Sequence, residues 1–323
     1  MGMKGFKGFE KDFSCKGKQY EENTTYEEHG VGCCHKGVMH FCEDPWEVLN
    51  HYDLVDGNGN FSEFAEVEAL GQVWNDGEKR ATNKIHVGAK LGLKGFLKAC
   101  IDCTLEKTEY ESNGTNLPGD YAQISSSGNS AQIGSSGYYA KIGSSGNSAQ
   151  IGSSGDYAKI GSSGDSAKIG SSGYYAKIGS SGDYAQTGSS GYSAQIGSSG
   201  DSAKIGSSGN SAQIGSSGDY AKIGSSGDSA QIGSSGDYAQ IGSSGNYAQI
   251  NSTGEDAVIM CAGRKSKAKG KKGSWITLAE WVKDEEKGRY VPICVKTERV
   301  DGEKIKDDTY YTLKNGEFSE VEE

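Results

Sequence analysis

Asp156-Tyr-Ala-Lys-Ile-Gly-Ser-Ser-Gly164 is followed at once by Asp165-Ser-Ala-Lys-Ile-Gly-Ser-Ser-Gly173, and this nine-residue phrase recurs sixteen times between Asp120 and Ile259. Alanine returns every ninth residue from Ala122 to Ala257, and isoleucine two positions later from Ile124 to Ile259, broken only by Thr187. A helix does not tolerate this density of Gly and Ser. A strand accommodates it, because residues two apart share one face and Ala and Ile then point inward together. Gln/Lys and Ser/Tyr alternate with them and point outward. Gly-Ser-Ser-Gly is expected to turn the corner, with glycine supplying a positive φ.

A strand this short buries nothing alone, but stacked copies do. Each Ile then sits about 4.8 Å above its counterpart in the next coil. Fifteen stacked isoleucines, at roughly 2 kcal/mol each, offset much of the ordering cost of a narrow rod. The second repeat position reads Tyr121, Ser130, Tyr139, Ser148, Tyr157, Ser166, Tyr175, a strict alternation that sets an 18-residue chemical period. The expected fold is therefore mainly β: a two-sided parallel β-solenoid of two strands per coil, about eight coils and roughly 38 Å long. Calcium-binding β-rolls require regular carboxylates, whereas here the first column holds eight Asp, four Asn, three Tyr and one Glu. Ordered Thr ladders of the ice-binding kind are missing too, since Thr187 and Thr253 are the only threonines of the array.

Working outward, the chain divides into 1–119, a small α+β domain; 120–259, the repeat array; and 260–323, a β-hairpin-rich cap. The 323 residues carry a formal charge of −10. An acidic chain does not suit general nucleic-acid binding. No apolar segment is long enough for a signal peptide or a membrane span, and the eight cysteines read as reduced thiols. The expected compartment is the cytoplasm of a host cell or a virion. In 1–119, Asp44 caps a short helix opened by Pro45, and Phe61–Trp74 and Ala81–Lys90 read as strands. Residues 112–119 form a turn-rich junction. In 260–323, Ser274–Lys283 and Tyr290–Val300 read as strands, and Asp301-Gly302 and Asn315-Gly316 as hairpin turns. Such ends should cover the open strand edges of the rod.

Lys4-Gly-Phe-Lys-Gly-Phe9, Gly37-Val-Met-His-Phe-Cys-Glu-Asp-Pro45 and Phe64-Ala-Glu-Val-Glu-Ala-Leu-Gly71 resemble an uncharacterised domain of phage and prophage proteins. Gly273-Ser-Trp-Ile-Thr-Leu-Ala-Glu-Trp281 and Val300-Asp-Gly-Glu-Lys-Ile-Lys306 look like the C-terminal piece of similar proteins. The resemblance implies a phage-derived origin and no particular activity.

Cys100-Ile-Asp-Cys103 has the Cys-x-x-Cys spacing of a zinc element, but Cys33-Cys-His35 and His40-Phe-Cys42 form an irregular cluster rather than a second pair of matching spacing. Reduced structural thiols and no cofactor are therefore expected, with zinc binding as the alternative. Asp56-Gly-Asn-Gly-Asn60 imitates a calcium loop but lacks its end carboxylates and reads as a polar turn. The six cations of Arg264–Lys272 read as a solvated linker, with a phosphate contact as the alternative. The candidate binding surface is the outward column Tyr121, Tyr139, Tyr157 and Tyr175 beside Lys141, Lys159 and Lys177. Tyr184, Tyr220 and Tyr238 stand on the opposite side. No catalytic constellation emerges. The expected function is non-enzymatic: a structural or binding module that displays a repetitive surface to a host or virion protein or to an extended polymer. The alternatives are an intracellular phage inhibitor of a host defence or DNA-handling protein, and an enzyme housed in 1–119.

Overall fold

A computed structural model describes residues 2–33, 35–107, 109–110, 116–117 and 119–321. The repeat array is a two-sided solenoid. Its sixteen four-residue strands, from Gln123–Ser126 to Val258–Cys261, alternate between two parallel sheets, and partners in a sheet are 18 residues apart, as in Ile142↔Ile160 and Ile151↔Ile169. Further strands on either side of the array bring the solenoid to about nine turns. Ala and Ile of every coil from Ala131 to Ile259 lie buried between the sheets, as the period-2 reading requires, and Thr187 takes the Ile place in its coil.

The corners differ from expectation. The strand runs from Gln/Lys to the first Ser, so Gly and the inward Ser belong to it rather than to the turn. Positive φ falls on the Ser/Tyr column, from +66° at Tyr121 to +56° at Tyr247, and not on glycine. This left-handed conformation is costly for a side-chain-bearing residue, and the neighbouring coils hold it in place. Tyr139 N–H donates to Asp156 O at 3.0 Å, and Lys141 N–H donates to Ala122 O at 2.8 Å. The second glycine of each repeat is required for a different reason. A Cβ on Gly200 would lie 2.0 Å from Gly182 O in the coil beneath. The irregular first column also has a structural role. Asp183 Oδ1 accepts from Asp201 N–H at 2.8 Å, and Asn210 Oδ1 accepts from Asp228 N–H at 2.9 Å. Either Asp or Asn supplies that acceptor, which explains why the two interchange.

The flanks close the rod. After the array, Trp275–Asp284 and Arg289–Arg299 form an antiparallel hairpin that extends one sheet, and Tyr310–Lys314 and Glu317–Val321 extend the other through the Asn315-Gly316 turn. Asp301-Gly302 is not a hairpin turn. The Asp301 carboxylate accepts from the N–H groups of Glu303, Lys304 and Ile305, closing a loop that crosses between the sheets. Arg264–Lys272 is not a linker either, because Lys267–Lys269 is a further solenoid strand.

The N-terminal domain is a seven-stranded antiparallel sheet with two helices, α1 (Pro45–Val48) and α2 (Gly92–Lys107). Asp44 caps α1 by accepting from Trp46 N–H at 3.0 Å. One face of the sheet packs an aromatic core around Phe9, Phe41 and Ile85, and the other packs Phe64 and Val55 against the two helices. Helix α2 lies along one face of the solenoid, hereafter the docked face; the opposite sheet is the open face. Within the junction, 112–115 and 118 lie outside the described residues.

Candidate binding surface

Repetition of the coil places identical columns on both faces of the rod, and the N-terminal domain then makes them unlike. On the docked face Lys141 Nζ lies 3.1 Å from Asp44 Oδ2, Lys159 pairs with Glu47, and Lys177 Nζ donates to Trp46 O at 2.9 Å and to Asn50 Oδ1. Lys159 and Lys177 retain only 8 % and 7 % exposure. Burial, with Lys159 nearby, brings the Lys177 ammonium down to about 8. These three lysines fasten the N-terminal domain to the rod and do not form an outward face with the tyrosines. Sequence reading missed this because their acceptors lie about a hundred residues upstream.

The tyrosines stand apart from the lysines, on a corner of the rod. Tyr121, Tyr139, Tyr157 and Tyr175 occupy the left-handed turn position and stack with ring centroids 5.1 Å apart, one per coil. All four are exposed. The column before them adds Tyr138, Tyr174 and Tyr192, which the sequence reading left out. Tyr138 meets Tyr139 edge-on at 5.3 Å, and Tyr192 meets Tyr175 at 6.4 Å. The result is a ridge of seven exposed tyrosines along one edge of the first five coils. The missed signal was the substitution of Tyr for Asp at three first-column positions. Tyr220 and Tyr238 form a shorter stack on the opposite edge, at 5.0 Å, where Tyr184 is also exposed.

The remaining candidates are absorbed by structure. Arg264 lies over the Tyr290 ring at 4.1 Å, Lys269 is fully buried and 2.9 Å from Asp308, and Lys271 lies 3.1 Å from Glu255. Asp56 Oδ1 accepts from Asn58 and Asn60 N–H at 2.8 Å, so the calcium-like loop is a polar turn, and Gly59 O accepts from Asn251 Nδ2 of the solenoid at 3.0 Å. Cys100 and Cys103 lie in α2, and burial pushes the Cys100 thiol well above its ordinary range and the Cys42 thiol up to about 12. A thiol held protonated in this way is a poor nucleophile and a poor metal ligand at neutral pH. Cys34 lies outside the described residues. Among the described residues no group of three or more His, Cys, Asp or Glu is placed to hold a metal ion, and no helix is long and apolar enough to cross a membrane.

These features define a two-sided β-solenoid with a β-rich domain fastened to one of its faces. That domain matches the family described as a domain of unknown function, DUF7666, over residues 3–99. No curated protein and no solved structure matches the chain.

Proposed function

We propose that the chain is a non-enzymatic, phage-derived binding module whose solenoid displays a repetitive aromatic edge to a host or virion partner. The observation that carries this reading is the tyrosine ridge. Seven rings stand exposed in five coils, while Lys159 and Lys177 are buried under the N-terminal domain. Tyrosine offers a broad, rigid apolar face with a polar tip, and a coil-by-coil repeat multiplies a weak contact along an extended partner. The phage origin rests on the resemblance of the two flanks described above. Burial raises the Cys42 and Cys100 thiols, which makes these two poor candidates for a nucleophile.

Affinity capture from a bacterial lysate tests the reading, with the full chain and a Tyr139→Ser/Tyr157→Ser/Tyr175→Ser variant as paired baits. Serine already holds the same backbone conformation at Ser130 and Ser148, with φ of +61° and +59°, so the variant should keep its fold. A partner held by the full chain and lost from the folded variant supports the ridge. A partner retained equally by both removes it as the binding site.

A further inference from the structure

The two faces of the solenoid share one unusual feature, an outward column of glycine in mid-strand. On the docked face its use is visible. A Cβ on Gly143 would meet Leu105 at 2.9 Å, on Gly161 Ile101 at 3.1 Å, on Gly179 Trp46 at 3.2 Å and Leu97 at 3.3 Å, on Gly197 Leu97 at 2.8 Å, and on Gly215 Phe61 at 2.7 Å with Leu93 at 3.6 Å. Leu93, Leu97, Ile101 and Leu105 are spaced four residues apart on α2, and they ride the glycine column of the rod. The spacing matches: twelve helical residues rise about 18 Å, and the four coils from Gly143 to Gly215 rise about 19 Å. Two of the flanking lysines of that face, Lys141 and Lys159, are met by carboxylates at the start of α1, Asp44 and Glu47.

The open face repeats the arrangement without an occupant. Glycine holds the column from Gly134 to Gly242, and a Cβ on Gly152, Gly170, Gly206, Gly224 or Gly242 would meet nothing within 4 Å. The column floors a shallow trough of about 1550 Å³ that ends at Val258 and Met260. Beside it stand Lys168, Lys204 and Lys222, exposed and without an ion pair among the described residues. Glycine in mid-strand weakens a sheet and marks a close approach of another group.

We infer that the open-face trough is a docking site for an amphipathic helix of a partner protein, with an apolar residue at every fourth position and carboxylates along one flank. The apolar stripe rides the glycine column as α2 does on the docked face, and the carboxylates meet Lys168, Lys204 and Lys222. The six coil steps from Gly134 to Gly242 span about 29 Å, the length of a helix of about 19 residues. This inference rests on the reading of the chain as a binding module and gives a second surface its partner chemistry.

The test uses the full chain and two labelled synthetic helices of that length, with leucine at every fourth position, one flanked by glutamate and the other by lysine. Fluorescence anisotropy is expected to show the glutamate peptide binding and the lysine peptide binding at least about tenfold more weakly, with the difference reduced by salt. A Gly170→Leu/Gly206→Leu variant adds side chains where a Cβ would meet nothing within 4 Å, and should weaken the glutamate peptide by about tenfold or more without lowering the melting temperature. Should that variant misfold, Lys204→Glu/Lys222→Glu on the exposed column gives the same reading, by reversing the peptide preference. Absence of binding by the full chain, equal binding of the two peptides, or affinity unaffected by either folded variant overturns the proposal. The Tyr139→Ser/Tyr157→Ser/Tyr175→Ser variant should bind the glutamate peptide as the parent does. Peptide binding can therefore fail while tyrosine-dependent capture persists, or the reverse, and the two readings fall separately.

Discussion

Three glycines within ten residues should respond to the same methyl group in three different ways. In Gly200→Ala the new Cβ would sit 2.0 Å from Gly182 O, more than an ångström inside normal contact, and the obstacle is backbone. The coils must part at that corner, at a cost of about 3 kcal/mol or more. In Gly197→Ala the Cβ would meet the two Leu97 methyl groups at 2.8 and 3.0 Å. These are the ends of a flexible side chain, so the expected cost is about 1–2 kcal/mol, felt mainly in docking of the N-terminal domain. In Gly206→Ala nothing lies within 4 Å, and its φ is not positive. Alanine there should stabilise by about 0.5–1 kcal/mol, the entropic penalty that glycine carries in a strand interior. Urea unfolding followed by circular dichroism measures the order of the three. Limited proteolysis separates release of the N-terminal domain from melting of the rod, which matters because long repeat arrays need not unfold in one step. If Gly206→Ala destabilises as much as Gly200→Ala, the division of glycines into corner, docked face and open face is wrong.

Ile205→Asp places a carboxylate in the buried stack and should cost several kcal/mol, whereas Gln240→Asp on the exposed column should stay within about 0.5 kcal/mol in thermal melting. Gln213 does not serve as that control, because its Oε1 accepts from Leu54 N–H at 3.2 Å across the docked interface. Lys177 has its ammonium lowered to about 8, first by burial and then by Lys159, so the folded state disfavours its charge below that pH. Its contribution to stability should therefore rise between about pH 8 and 10.5, by about 3 kcal/mol in total. Unfolding across that window should show a Lys177→Met variant lacking the rise; equal slopes for variant and parent would refute the assignment. Thr187→Ile restores the broken isoleucine column and removes a buried hydroxyl with no hydrogen-bond partner, so it should raise the unfolding midpoint by the equivalent of about 1 kcal/mol. Chelation with EDTA should leave the β-sheet dichroism intact, because the Asp/Asn column is engaged with backbone N–H groups; loss of the signal would count against that role.

The sequence by itself determined the rod. A nine-residue period with Ala and Ile two apart allows one buried face per strand, and the Tyr/Ser alternation at the second position sets 18 residues per coil, which the Ile142↔Ile160 register realises. The Asp44 cap and the Asn315-Gly316 hairpin were legible for the same reason: their chemistry is local. The tertiary structure decided what repetition alone leaves undetermined. The repeat gives every coil the same two faces, and only the placement of α2, an element the strand-focused reading overlooked, makes one face an interior and leaves the other open. Helix α2 carries its signal in Leu93, Leu97, Ile101 and Leu105, but a spacing of four says nothing about which surface receives it. The fate of Lys141, Lys159 and Lys177 was beyond the sequence for the same reason. A lysine column reads as a solvated face until carboxylates distant along the chain are folded over it, and burial then turns a display surface into a fastening.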